Sequence, residues 1–283
     1  MTGNKIIFFD IDGTLVDFSC HMPDSTKDAL KLLRKNGHRL IISTGRSKSE
    51  VYPWLLDMEW DGLICAAGAY VEFNGSIIYS KYMEPSMVKL LTEYIENHNG
   101  TYILEGSEAI WEKKELIEQN RINIENWIRE SHGDGNTPLI PKAAAFDNIC
   151  QVSHIHKLNF HGMDMDINIM ENEINTLLSK ANMPGIHAIK FNMGNHFSTS
   201  GEITLTGIHK SHGMNLLLEA SGYTKDSSIA FGDSLNDYEM IQNAGMGIAM
   251  GNACDSIKNA ADYVTDHINE NGIYNAAKKL RLI

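Results

Sequence analysis

Residues 6–15 read Ile6-Ile7-Phe8-Phe9-Asp10-Ile11-Asp12-Gly13-Thr14-Leu15, and the fold turns on this stretch. The first four residues are apolar, branched or aromatic, and do not alternate with polar ones, which is the pattern of a short strand buried on both faces. Two carboxylates come next, two residues apart. In open α/β sheets ligands bind just outside the carboxyl ends of the strands, so Asp10 and Asp12 stand where a site would be built. An acid left unpaired in a partly buried crevice is costly. A divalent cation removes that cost, and hard oxygen ligands with open water positions suit magnesium. Gly13 lets the backbone turn sharply beside such a ligand. The bland alternative for both acids is a strand end and a turn, and D-x-D-G-T alone does not choose between the two.

Beyond this stretch the pattern alternates. Asp24 to Asn36 has helical spacing (Ala29, Leu30, Leu32, Leu33) and closes at Gly37; Leu40-Ile41-Ile42 lies in a second strand, Arg39 to Ser43. A helix over Ser47 to Met58 and a third strand over Gly62 to Ala66 are expected next, the rhythm of a parallel α/β sheet. Phe73-Asn74-Gly75-Ser76-Ile77 carries the Asn-Gly signal of a hairpin. The rhythm then breaks. A helix (Met87 to Asn97), strands (Thr101 to Trp111), a helix (Glu115 to Glu130) and a loop (His132 to Pro141) are expected. After them come an open-faced strand (Val152 to Phe160), a helix (Glu171 to Ala181) and two strands within Ile186 to Leu205, with Ser200-Gly201 in their turn. The parallel pattern returns from Lys210: a helix from Met214 to Ser221, a buried strand Ser228 to Phe231, a helix Asp237 to Asn243 and a strand Gly247 to Met250. The fold class is therefore α/β, with a parallel-sheet core over 1–83 and 206–283 interrupted by an α+β domain over 84–205.

Three further signals follow, two of them at strand ends. Thr44-Gly45-Arg46 ends the second strand, where a hydroxyl and free N–H groups at a helix N-terminus bind anions; for Thr44 alone a plain N-cap is the simpler reading. Lys210, shortly before a helix, can offset the charge of a phosphoryl group, although a solvated surface role is the default for one lysine. Gly232-Asp233-Ser234-Leu235-Asn236-Asp237 comes directly after the strand Ser228 to Phe231 and again gathers acids at a carboxyl end. Asp233 and Asp237, four apart, share a face if this segment is helical. Asp233 would ligate the metal, and Asp237 would do so directly, do so through water, or orient the lysine. The plain alternative is a helix N-terminus that favours acids.

In order and context these signals resemble the haloacid dehalogenase superfamily, specifically its Cof-like subclass IIB branch with a C2-type cap. The family pattern is D-x-D-G-T, a Ser/Thr ending strand two, a Lys, and G-D-x-x-x-D. The branch adds T-G-R, G-D-S-x-N-D, and a tail matched here by Met250 to Ala253, Lys258 and Ala261-Asp262. Two departures stand out: Ala67-Gly68 replaces the usual Asn-Gly after the third strand, and Ser211 and His212 follow the Lys before a Gly appears. The resemblance implies a Rossmann-like core, a cap over 84–205, and a magnesium-dependent phosphoric monoester hydrolase. Asp10 would be the nucleophile and Asp12 the acid and base. Mg2+ would lie between Asp10, Asp12 (through its main-chain carbonyl) and Asp233, with Asp237 reaching it through water if at all. Thr44, Gly45, Lys210 and Asn236 would hold the phosphoryl oxygens. Phosphate release over time separates this from a phosphotransferase or mutase using the same intermediate. A non-catalytic phospho-accepting module is the rival of another class, and receivers of that kind are far shorter.

The resemblance implies a small-molecule phosphate ester as partner, and the acidic balance does not exclude one, because a metal ion can supply local positive charge. The chain has 283 residues, 43% hydrophobic and 21% charged, with a net charge of -12 and no long basic run. No nucleic acid and no membrane partner are expected, and a cytoplasmic, soluble enzyme is. Cys20, Cys65, Cys150 and Cys254 form no CxxC pair and read as small buried thiols in a reducing compartment. His154 and His156 would share a strand face, with His161 near. A polar sheet face is the simpler reading, a zinc site the alternative. Trp111, Trp127, Met163 and Met165 read as core of the inserted domain.

Overall fold

The computed structural model of the chain describes residues 3–17, 19–122, 125, 143–190 and 199–283. The apolar run Ile6–Phe9 is a strand with every residue buried. It is central in an eight-stranded sheet whose order is Tyr263–Val264, Met246–Ala249, Ser228–Gly232, Ile6–Phe9, Arg39–Ser43, Gly62–Cys65, Tyr70–Phe73, Ser76–Ser80. The first six are parallel and the last two turn antiparallel. Phe8 stands in register with Ala230 on one side and Ile41 on the other. Chain order diverges on either side of Ile6–Phe9, so the carboxyl ends of three adjacent strands open a crevice at a topological switch point. Asp10, Thr44 and Asp233 stand just past those three ends. Asn74 and Gly75 have φ of 48° and 75°, the two left-handed residues that a tight hairpin turn needs.

The chain divides into two compact units: Met1–Arg46 with Tyr52–Ser80 and His209–Ile283, and Ser47–Val51 with Lys81–Ile208. In the first, the helix Lys210–Ser221 buries Met214, Leu217 and Leu218 among Ile6, Phe8, Ile41, Ile64 and Ala230. In the second, among the described residues, a six-stranded sheet runs in the order Ile186–Lys190, Thr199–Leu205, Ile155–Met163, Thr101–Gly106, Ile110–Lys113, Ala144–Phe146. All its neighbours are antiparallel except the last pair. The helices Pro85–Asn97 and Ile167–Lys180 pack on a core that includes Leu91, Ile95, Leu158, Phe160, Met163 and Ile174, with Trp111 and Met165 at its margin.

Several expectations are corrected. The segment 47–58 is not one helix: a 3₁₀ turn at Lys48–Glu50 and a single α-turn at Pro53–Leu56 flank extended Val51 and Tyr52. Pro53 disfavours helical backbone at the residue before it. The helix expected from Met214 starts four residues sooner, so that Lys210 is its first residue, and His209 caps it by accepting the His212 amide. The strand expected over Val152 to Phe160 begins at Ile155 and is not open-faced, since His156, Lys157 and His161 on it are buried. Ser200 and Gly201 lie inside a strand, and a Cβ on Gly201 would meet the Ile189 carbonyl at 2.2 Å. The four cysteines are free, but Cys150 and Cys254 are exposed. The helix expected over Glu115 to Glu130 is a 3₁₀ turn at Lys114–Leu116 continued by helix over 117–122; its remainder past 125, Trp127 and the loop expected over 132–141 lie outside the described residues.

Candidate active site

The loop after Ile6–Phe9 folds back on itself. The Gly13 amide donates to the Val16 carbonyl at 2.7 Å, and the Leu15 amide to the Ile11 carbonyl at 3.0 Å. Gly13 has φ +87°, and a Cβ there would stand 2.3 Å from Asp233 Oδ2. Only glycine allows the backbone this close to a carboxylate. The Thr14 hydroxyl donates to Asp233 Oδ1 at 3.0 Å, so the Thr of D-x-D-G-T orients the acid of the distant fourth motif. Sequence reasoning assigned Thr14 no task.

Lys210 is the hub. Its Nζ donates to Asp10 Oδ1 and Asp237 Oδ1, both at 2.6 Å, and to Asn236 Oδ1 at 3.1 Å. Asp237 is committed on both oxygens, for its Oδ2 accepts from the amides of Asp233 and Ser234 at 3.0 and 3.1 Å. It therefore orients the lysine and the Asp233 turn. Asp233 and Asp237 meet through this turn and a 3₁₀ helix, Leu235–Asp237, and not as neighbours on an α-helical face.

One carboxylate oxygen each of Asp10, Asp233 and Asp237 lie within 4.8 Å of one another, all buried. Burial raises the Asp10 carboxyl well above the usual range, against the pull of Lys210 and with a further push from Asp237 and Asp233. Burial, then Asp237, push Asp233 up to about 7. Burial lowers the Lys210 ammonium, but Asp10 and Asp237 outweigh it and hold the pKa above the ordinary lysine value. Three buried acids face a single lysine charge, and an arrangement with that excess of hard oxygen donors fits a divalent cation.

Asp12 stands outside this three-acid group, with its side chain 43% exposed. Arg46 grips it with both prongs, Nε to Oδ2 at 2.7 Å and Nη2 to Oδ1 at 2.9 Å. Arg46 Nη2 also donates to the Tyr52 hydroxyl at 3.0 Å, and its guanidinium lies 4.7 Å from the centre of that ring. Thr44 starts no helix: its Oγ1 accepts the Arg46 amide at 3.1 Å and its carbonyl the Ala67 amide at 3.0 Å. Ala66 and Ala67 hold φ of 48° and 52°, so the departure from Asn-Gly leaves two left-handed alanines beside the second motif. A Cβ on Gly45 would be 3.4 Å from Asn236 Nδ2, which brings the second and fourth motifs together. The tail motif also acts here, since Asn252 Nδ2 donates to the Gly13 carbonyl at 2.7 Å while its Oδ1 accepts the Ile268 amide at 3.0 Å.

His154, His156 and His161 belong to the second unit. His154 precedes the strand with φ 59°, and both it and His156 set their rings against Tyr82, at 4.7 and 4.6 Å between centroids. Among the described residues, the group of three or more metal-capable side chains is the aspartate one, and no histidine is in it.

The profile of the haloacid dehalogenase-like hydrolases matches residues 7–276. A 5-amino-6-(5-phospho-D-ribitylamino)uracil phosphatase of Bacillus subtilis, YcsE, is 25% identical, over 97% of this chain and 94% of its own. The pyridoxal phosphate phosphatase YbhA of Escherichia coli is also 25% identical, over 92% of each chain. A solved subclass IIB sugar phosphatase superposes with a TM-score of 0.75 at 26% identity, covering 99% of this chain and 100% of that one. With the strand-end aspartates and the lysine hub in place, the match over nearly the whole length shows that the chain belongs to the haloacid dehalogenase-like hydrolases, as one of the family's phosphatase-type enzymes.

Proposed function

We propose that this enzyme hydrolyses small soluble phosphate monoesters with the help of Mg2+, through a phosphoryl group carried on Asp10. The observation that carries the reading is the buried Asp10 carboxylate, anchored by Lys210 at a strand end with an Asp233 oxygen within 4.8 Å of it. Asp10 attacks phosphorus in line, and the bond from phosphorus to the leaving oxygen breaks. Asp12 donates its proton to that oxygen. Water then attacks the aspartyl phosphate, Asp12 takes the proton back, and Asp10 is regenerated as inorganic phosphate leaves. Bound between Asp10, Asp233 and the Asp12 main-chain carbonyl, Mg2+ would neutralise charge on the phosphoryl oxygens. Thr44, Gly45, Lys210 and Asn236 position those oxygens, and Asp237 keeps Lys210 in place.

The names of the relatives support small phosphorylated metabolites, sugar phosphates among them, as the substrate class. The test is phosphate release across a panel of such esters. EDTA should abolish turnover, magnesium restore it, and calcium, with its larger and looser coordination, inhibit it. Asp10→Asn should lower kcat by at least about a thousandfold with the fold intact. Substantial turnover by that variant, or by metal-free protein, would refute the scheme. Substrate loss without matching phosphate release would point to a phosphotransferase.

A further inference from the structure

The first unit is left after Arg46 and rejoined at Tyr52, and the five residues between, Ser47–Val51, belong to the second unit. The two flanking residues close on each other across the base of this loop, through the 3.0 Å hydrogen bond and the stacked guanidinium. The same guanidinium holds both oxygens of Asp12. The loop is fastened at its tip: Ser49 Oγ donates to the Gly106 carbonyl at 2.8 Å. The Glu50 carboxylate accepts the Ser47 amide at 3.1 Å and stands 4.0 Å from Lys157 Nζ, itself paired with Glu105 and Glu202 at 3.2 and 2.9 Å.

A general acid must aim one oxygen at the leaving group. A two-pronged guanidinium pairing sets the plane of a carboxylate as well as its distance. Arg46 is a long flexible side chain, and the face and hydroxyl of Tyr52 limit where its head can lie. Because Arg46 and Tyr52 are the two ends of one short loop, a shift of that loop reaches Asp12 through the guanidinium. We propose that Arg46 and Tyr52 are positioning residues for Asp12, and that the loop Ser47–Val51, which joins them, sets the spacing of this clasp. The proposal rests on the reading of Asp12 as the acid.

The experiment compares Asp12→Asn, Tyr52→Phe, Ser49→Ala and Ser49→Thr in the full chain. Two substrates are used: 4-nitrophenyl phosphate, whose good leaving group needs little proton transfer, and the best alkyl phosphate from the panel. Tyr52→Phe keeps the ring and deletes the hydroxyl; Ser49→Ala deletes one anchor of the loop. Both should lower kcat for the alkyl ester about tenfold with little change in KM, a fraction of the full effect of a general acid. Ser49→Ala should leave the aryl ester within about twofold, and Ser49→Thr, which keeps the hydroxyl, should restore the alkyl rate. Equal loss on both esters, or a change confined to KM, would overturn the positioning role. An alkyl rate unchanged in Ser49→Ala would overturn the role of the loop. If Asp12→Asn itself failed to distinguish the two leaving groups, the acid assignment would fall and the proposal with it.

Discussion

Lys210 shows how much one residue can hold together. Its ammonium is buried between Asp10 and Asp237 and offsets two carboxylates that burial would otherwise make costly. Lys210→Met keeps the length of the side chain and removes the charge. The expected loss of unfolding free energy is about 3 kcal/mol, because the partners are left buried and uncompensated. Adding Asp237→Asn should return part of that loss, since it removes one of the stranded acids, and the two substitutions are therefore strongly non-additive. Urea denaturation of the single and double variants measures this. A double variant as unstable as the sum of its parts would show that the lysine acts by packing and not by charge.

Among the elements, the site is a set of strand ends joined by loops that check each other. The strands themselves are ordinary buried apolar runs. What aligns their loops is side-chain bonding between residues far apart in the chain: Thr14 to Asp233, and Asn252 to both the Gly13 carbonyl and the Ile268 amide. Asn252→Ala deletes two such bonds. Stability should fall by about 1–2 kcal/mol, and kcat should fall with it as the Gly13 turn loosens. Asn252→Asp can still accept the Ile268 amide but sets a carboxylate against the Gly13 carbonyl oxygen, so its kcat should be lower still for a similar melting temperature. Thermal unfolding alongside initial rates decides the matter, and equal kcat in both variants would rule out the Gly13 contact as the cause. Pro53 marks the opposite case, an element where local chemistry overrode an apparent helical pattern and left Val51 and Tyr52 extended.

At the scale of the whole molecule, pH acts through buried histidines of the second unit. His161 is buried on Ile155–Met163, and burial pushes its pKa down to about 4. Burial also lowers His156, with the Lys81 carbonyl pulling the other way. A histidine whose folded pKa lies below its unfolded value is protonated first in the unfolded chain as the pH falls. Stability is then complete above about pH 6.5 and is lost between there and about 4, by about 3 kcal/mol for a shift of this size. Melting temperatures over that range should fall for the natural sequence and fall less steeply for His161→Asn. Identical slopes would mean that the carboxylates alone account for the acid sensitivity.

The parallel core, the hairpin at Asn74-Gly75 and the motifs that meet at the strand ends were all legible in the residues alone. Each depends on short-range rules: which residues are apolar, where the chain must turn, and which side chains come directly after a buried strand. The three-dimensional arrangement was needed to learn that Asp237 commits both oxygens to positioning and that Arg46, itself bonded to Tyr52, holds Asp12. It was needed again to place Ser47–Val51 in the second unit and to bury the polar residues of Ile155–Met163. Those outcomes depend on which side chains arrive at the same few ångströms from distant parts of the chain, and charge pairing at that range leaves no periodic or local trace in the residues that make it.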